Sequence, residues 1–262
     1  MVAASKMKKA QDRALEGKPY ADKIYQATID LAQRVDIKLH PLLNQGNPKG
    51  KAALILISTN KGLCGGLNTN LFRQVLNQLK SVQDIDSVTL GKKGQSFVVR
   101  TKYKLAADFS DQFPFAPSIP AVTDIIIKGF ISGIYKQVYV AYNSFINALK
   151  QEPVIKRILP LSLPVSENQQ KQEKTFNEFL LEPSAGEILS SLLPHYLENQ
   201  LRSAVFEAEA SEHSARMIAM KNATEAASDV TNELTLLYNK ARQEKITYEI
   251  ADIVTARLAV EE

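Results

Sequence analysis

From residue 195 to residue 262 the chain contains neither Gly nor Pro. An α-helix over these roughly 68 residues would be about 100 Å long, several times the span of an ordinary core helix. A rod of that length outruns a domain of this size, so part of it must find partners outside its own fold. Its small-residue stripe points the same way. Leu197, Leu201, Ala204, Ala208, Ser211, Ala215 and Ile218 step by four and three, and Ala219, Ala223, Ala226, Val230, Leu234, Leu237 and Ala241 resume the rhythm one position displaced. Alanine in such a seam lets two helices approach closely and leaves the outer face of a thin coiled coil to other chains.

The start of the chain carries a matching seam. Ala3, Met7, Ala10, Ala14, Gly17, Ala21, Ile24, Thr28, Leu31 and Val35 keep the same alternation, which predicts one helix over about residues 1–39. Pro19 removes a backbone bond and crowds the carbonyl of Leu15, but the seam holds its phase on both sides, so a kink is expected there rather than an end. Antiparallel pairing of the two terminal helices over 1–39 and 195–262 follows, provided that whatever lies between them has its ends close together.

Between them the period changes. After a Pro- and Gly-containing loop over 40–51, residues 52–57 form an unbroken apolar run, the signature of a strand buried on both faces. A loop over 58–66, a helical pattern through Leu71, Val75, Leu76 and Leu79, and a strand near 87–91 complete a βαβ unit. Residues 125–134 read as helix, 137–142 and 154–159 as strands and 176–181 as an edge strand, with loops at 106–120 and 164–174. The predicted fold is therefore α/β: an antiparallel coiled coil of N- and C-terminal helices with an inserted Rossmann-like α/β domain. The expected domains are 1–45, 46–185 and 186–262.

Composition excludes several classes. With 262 residues, 45% hydrophobic and 23% charged, the chain can bury a sizeable core. A net charge of +4 is too small to argue for nucleic-acid binding and suits an acidic partner surface. Cys64 stands alone, which excludes an internal disulfide and fits a reducing compartment. No apolar run approaches the roughly 18 residues that span a bilayer, and the start lacks the apolar stretch of a signal peptide.

The segments MVAASKMKKAQ, STNKGLCGGLNTNLF and ARMIAMKNATEAASDVTNELTLLYNKARQEKIT, in this order and with this organisation, resemble the gamma subunit of F-type ATP synthases of bacterial type, over nearly the whole chain. The resemblance implies a central rotor shaft. The paired helices would pass through a ring of three alpha and three beta subunits, and the α/β domain would sit at the foot beside the epsilon subunit and the membrane ring of c subunits. Such a subunit couples proton-driven rotation of the c-ring to ATP synthesis or hydrolysis at the beta-subunit sites, has no catalytic site or cofactor of its own, and lies on the cytoplasmic face of the bacterial inner membrane through the complex only. Matching positions imply contacts with beta-subunit loops at Arg242, Gln243, Thr247 and Glu249, with Arg242 and Glu249 pairing across that interface. They imply c-ring and epsilon contacts at Phe179, Leu181 and Glu182. The pattern departs from the family at three places. Family members carry a further basic helical segment of about 20 residues before the first motif, which leaves either a shortened start or a partly single-stranded shaft. Tyr248 stands where a glutamine is usual, and Ala256, Arg257 and Leu258 replace a Gly-rich end.

Other constellations carry less. Lys61, Gly62, Gly65 and Gly66 sit between a strand and a helix, where a phosphate-cradling loop would lie, but their spacing matches neither G-x-G-x-x-G nor the P-loop. They keep open an alternative, a nucleotide-binding α/β domain with a coiled-coil assembly arm. Cys64 reads as a packed residue rather than a nucleophile. His40, His195 and His213 lack metal-ligand spacing, and Asp84, Asp86, Asp108 and Asp111 are expected in solvated loops. The basic start, Lys6, Lys8, Lys9 and Arg13, reads either as a solvated helix face or as attraction toward acidic partner loops.

Overall fold

The computed structural model describes residues 2–32, 40–44, 46–80, 82, 84–101, 103–161, 182 and 184–261. The order is α1 (Val2–Ala32), β1 (Lys51–Ile57), α2 (Leu67–Gln78), β2 (Ile85–Leu90), α3 (Lys92–Thr101), β3 (Lys104–Asp108), α4 (Ile119–Ile131), β4 (Tyr135–Phe145), β5 (Gln151–Leu159) and α5 (Ala185–Glu261). Two compact units divide the chain, residues 1–217 and 218–262.

In the first unit the strands form one sheet in the order β3-β2-β1-β4-β5. β3, β2, β1 and β4 run parallel, and β5 closes the edge antiparallel to β4. The apolar run of β1 is unbroken because both faces of the sheet are covered. Ala53, Ile55 and Ile57 point to one face, where Ile119, Val122, Ile126 and Phe130 of α4 and Leu189, Leu193, Leu197, Leu201 and Val205 of α5 pack on them. Ala52, Leu54 and Leu56 point to the other, against Leu71 and Val75 of α2 and Val98 of α3.

Two expectations change here. The segment expected to be a loop from 106 onward begins inside β3, and α3 was not anticipated at all. α3 starts at Lys92-Lys93-Gly94, with no acidic residue in its first turn, so it carries none of the usual start signals. The edge strand expected over 176–181, the loop over 164–174 and the end of the first helix over 33–39 lie outside the described residues.

The first helix runs through Pro19 without ending, as its unbroken phase required. Its expected stripe is the covered one, with Ala10, Ile24 and Thr28 buried. The Thr28 hydroxyl satisfies itself by donating to the Ile24 carbonyl at 2.7 Å. Against α5 the order is antiparallel. Tyr25 stacks on Tyr196 with ring centroids 6.1 Å apart, the Tyr20 hydroxyl lies 2.6 Å from His195 Nε2, Arg13 acts electrostatically on Glu209, and Lys6 acts on Glu212 and His213.

The helix α5 is continuous for 77 residues and passes through Pro194. Its seam, however, is not used as expected. Leu197, Leu201 and Ala204 face the sheet, and the Ser211 hydroxyl donates to the Asn143 carbonyl on β4 at 2.9 Å. The stripe toward α1 includes Tyr196, His195 and His213 instead. In the second unit every described side chain over 221–257, the displaced seam from Ala223 to Ala241 included, is exposed.

Candidate functional site

In an open parallel sheet the strand order reverses at one point, and the crevice outside the carboxyl ends of the strands there is where ligands bind. Here that point lies at β1, flanked by β2 and β4. The crevice is occupied by protein. Val205, Ala208, Glu209 and Glu212 of α5 and Phe115 close over Ile57, Ser58, Thr59 and Asn143, leaving a cavity of about 10 Å³, room for a single water. Asn143 Oδ1 and Glu209 Oε1 lie buried beside it without a protein donor.

The phosphate-cradle alternative needs free N–H groups at a helix start. The glycine-rich loop over 61–66 opens α2, where the Leu67 N–H donates to the Cys64 carbonyl at 3.4 Å. The N–H groups that open the neighbouring helix, α3, are taken by the loop after β1. Lys92 N–H donates to Asn60 Oδ1 at 2.9 Å, Lys93 N–H to the Thr59 carbonyl at 3.1 Å, and Gly94 N–H to Ser58 Oγ at 2.7 Å. Gly91, at φ +113°, and Gly94 permit this contact, since a Cβ on Gly91 would lie 2.2 Å from the Ser58 carbonyl oxygen and one on Gly94 would lie 2.7 Å from Ser58 Oγ. These glycines allow close backbone approach between protein segments.

The same loop is fastened on its other side. The Thr59 hydroxyl donates to the Lys61 carbonyl at 2.8 Å and accepts from Asn68 Nδ2 at 2.7 Å. Cys64 is buried, its sulfur 3.4 Å from Asn68 Nδ2. Arg216 of α5 donates from Nε to the Gly62 carbonyl at 3.3 Å and from a terminal nitrogen to the Lys61 carbonyl at 3.4 Å. It also pairs with Glu212 at 2.6 Å. Burial raises the carboxyl pKa of Glu209 and Glu212, opposed at Glu209 by Arg13 and at Glu212 by Arg216. Burial lowers that of His213, with Arg216 and Lys6 adding to the effect. Nothing in the local sequence marks Arg216, because its carbonyl partners lie 154 and 155 residues away.

The tip residues expected to meet a partner all lie on exposed turns of α5. On a helix of 3.6 residues per turn, Arg242 and Glu249 fall on one stripe, and Gln243 and Thr247 on another about 100° round. The Thr247 hydroxyl donates back to the Gln243 carbonyl at 2.9 Å, and Glu249 lies 3.8 Å from Lys245. Around them Leu236, Tyr238, Ile246, Tyr248, Ile250 and Ile253 are exposed. At the foot, Glu182 is exposed, and Phe179 and Leu181 lie outside the described residues.

The acids are structural. Asp86 sits buried on β2 beside Lys51 Nζ at 3.7 Å. Asp108 ends β3 and accepts from Thr89, Gln95 and Ser110, and Asp111 pairs with Lys92 at 2.8 Å. Asp84 and Asp111 are exposed outside the strands as expected, whereas Asp108 is exposed at the end of a strand and Asp86 is buried within one. His40 Nδ1 accepts the Leu42 N–H at 3.3 Å. Among the described residues no group of three or more His, Cys, Asp or Glu could hold a metal ion, and no helix is long and apolar enough to cross a membrane.

A family model described as ATP synthase matches residues 1–260. The ATP synthase gamma chain of Acidovorax sp. strain JS42 is 40% identical over 267 residues, covering 99% of this chain and 91% of that one. That of Roseiflexus castenholzii is 39% identical over 269 residues, covering 100% and 91%. Among solved structures, the central stalk and c-ring of the Tetrahymena thermophila mitochondrial ATP synthase includes a chain that superposes with a TM-score of 0.62 at 22% identity, covering 86% of this chain and 96% of that one. The rotor of the Euglena gracilis mitochondrial ATP synthase superposes at 0.55 and 19%, covering 94% and 98%. These two likenesses bear on the fold, whereas the sequence matches extend end to end through the sheet and both terminal helices, and on them the chain belongs to the gamma-chain family of ATP synthases.

Proposed function

We propose that this chain is the central rotor shaft of a bacterial ATP synthase, coupling proton-driven rotation of the c-ring to ATP synthesis and hydrolysis at the beta-subunit sites, and that it catalyses nothing itself. The observation that carries this reading is the double use of α5. Its first part fills the sheet's ligand crevice, and residues 221–257 turn every described side chain outward. A helix built in this way suits mechanical coupling to surrounding chains. A ring of three alpha and three beta subunits would meet a different face of the helix at each angle, and only such differential contact can shift each beta site between states.

In this reading 186–262 is the shaft helix, 1–45 its partner and 46–185 the foot. Arg242, Gln243, Thr247 and Glu249 contact beta-subunit loops, with the exposed tip pair Arg242 and Glu249 sharing one stripe. Phe179, Leu181 and Glu182 contact epsilon and the c-ring. The chain binds no cofactor or nucleic acid and reaches the cytoplasmic face of the inner membrane through its partners alone. The nucleotide-binding alternative is disfavoured by the filled crevice.

Reassembly tests it. Mixed with alpha and beta subunits, the chain is expected to enter at one copy per hexamer, and Arg242→Ala is expected to lower proton pumping per ATP hydrolysed while leaving the melting temperature of the free chain unchanged, because an exposed helix residue contributes within about 0.5 kcal/mol to folding. Saturable binding of ATP or NAD by the free chain, or a large loss of melting temperature with coupling intact, overturns the reading.

A further inference from the structure

We infer that Arg216 is a positioning residue that locks α5 to the sheet. Its guanidinium holds the loop after β1 against the helix at the last turn before the compact unit ends, so that twist in the helix is passed to the sheet instead of being lost as slippage between them. The inference rests on the rotor reading.

The geometry has three parts. Arg216 and Glu212 are largely buried, with side-chain exposures of 17% and 14%, and they pair at 2.6 Å. Glu212 thus fixes the guanidinium, whose planar fork sends Nε to the Gly62 carbonyl and a terminal nitrogen to the Lys61 carbonyl. The loop so gripped is itself tied on the far side to the starts of α3 and α2, through Asn60 to Lys92 N–H, Ser58 to Gly94 N–H and Asn68 to Thr59, and to β2 of the sheet through Ser58 N–H to the Leu90 carbonyl at 2.8 Å. The path from helix to sheet is therefore a chain of directional polar contacts, unlike the apolar packing of Val205 and Ala208 beside it, which is non-directional. The loop also needs a hold. Leu63 is 70% exposed with φ +62°, so no side-chain burial fixes it and its left-handed backbone must be stabilised by bonds from neighbours.

The alternative is that Arg216 is only a stabilising surface pair, like Arg202 with Glu198 one face earlier on the same helix. The two roles separate in one experiment. Arg216→Ala, Arg216→Lys and the control Arg202→Ala are compared by amide exchange across residues 60–66, by thermal melting of the free chain, and by proton pumping per ATP hydrolysed in the reassembled complex.

The expected result is that Arg216→Ala raises exchange in that loop by about tenfold, the effect of losing charge-assisted bonds of ordinary strength, and lowers pumping per ATP several-fold. Its melting temperature falls further than that of Arg202→Ala, because Glu212 is left largely buried and unpaired, so exchange and pumping in Arg216→Lys, which keeps that pair, separate the two roles. In those two readouts Arg216→Lys should resemble Arg216→Ala, because an ammonium keeps Glu212 but cannot serve both carbonyls in the fork geometry. Unchanged exchange in 60–66, or full coupling in Arg216→Lys, overturns the inference. Failure of the unmutated chain to join alpha and beta subunits would sink the rotor reading instead, and exchange in the free chain would still decide whether the lock exists.

Discussion

Gly91→Ala probes whether the glycines at the end of β1 and β2 serve packing between protein segments or leave space for a ligand. At φ +113° an alanine is strained by about 1–3 kcal/mol before any contact is considered. Its Cβ would also lie 2.2 Å from the Ser58 carbonyl oxygen and 2.7 Å from Ser58 Oγ, so the ends of β1 and β2 must part. That movement strains or breaks two buried bonds, Ser58 N–H to the Leu90 carbonyl at 2.8 Å and Gly94 N–H to Ser58 Oγ at 2.7 Å, each contributing about 1 kcal/mol. The sum is about 3–5 kcal/mol, a large share of a domain's stability, which corresponds to a fall of roughly 10 °C in melting temperature. Gly62→Ala, with open space at its Cβ, is expected to stay within about 0.5 kcal/mol. Near-UV circular dichroism of the tyrosines follows the sheet, since Tyr135 and Tyr139 lie on β4 and the chain has no Trp. A loss below about 1 kcal/mol for Gly91→Ala, equal to that of Gly62→Ala, would refute the packing account.

Cysteines placed at Lys6 and His213 should cross-link readily, whereas a cysteine at Lys6 with one at Ala226 or Val230 should not, because α1 pairs with α5 near Glu209 and His213; the reverse pattern would contradict that register. Stability should also fall as pH rises from 4.5 through the raised pKa values of Glu209 and Glu212, since the folded state then holds protons that the unfolded state has already released. Glu209→Gln removes that residue's part of the slope, so its melting temperature relative to the unmutated chain should improve from pH 4.5 to pH 7; a constant difference refutes the assignment.

Much of the fold was legible because its causes are local. A doubly covered strand must be apolar throughout, and 52–57 is; a helix seam must repeat in threes and fours, and both ends of the chain do. What stayed hidden depends on distant partners. α3 begins with two lysines and a glycine, and its start is stabilised by Ser58, Thr59 and Asn60 rather than by its own cap. β3 alternates exposed and half-buried residues over five positions, too short and too polar to stand out. The seam of α5 was found, but its target was not, because the stripe from Leu197 to Ser211 would look the same packed on a sheet or on a helix. Of the expected contact residues, Arg242, Gln243, Thr247 and Glu249 came from motif matching, and helix geometry adds that they form two stripes. Arg216 lies within one of the matched segments, but its partners at Lys61 and Gly62 are too distant in the chain for any local reading to show.

The relation between the sheet and α5 also bears on how a nucleotide-binding type of architecture could serve the proposed rotor. The strand order creates a crevice at β1 whether or not a ligand uses it. In this chain the crevice is filled by Val205, Ala208, Glu209 and Glu212, so the place where other sheets of this kind hold a cofactor becomes the place where the sheet holds a helix. The buried polar groups there follow from that substitution. The Ser211 hydroxyl donates to the Asn143 carbonyl on β4, while Asn143 Oδ1 and Glu209 Oε1 stay buried without a protein donor. Fold alone would have suggested a binding site. The side chains that occupy the site argue for an anchorage, and an anchorage is what a helix needs if it is to turn together with its foot.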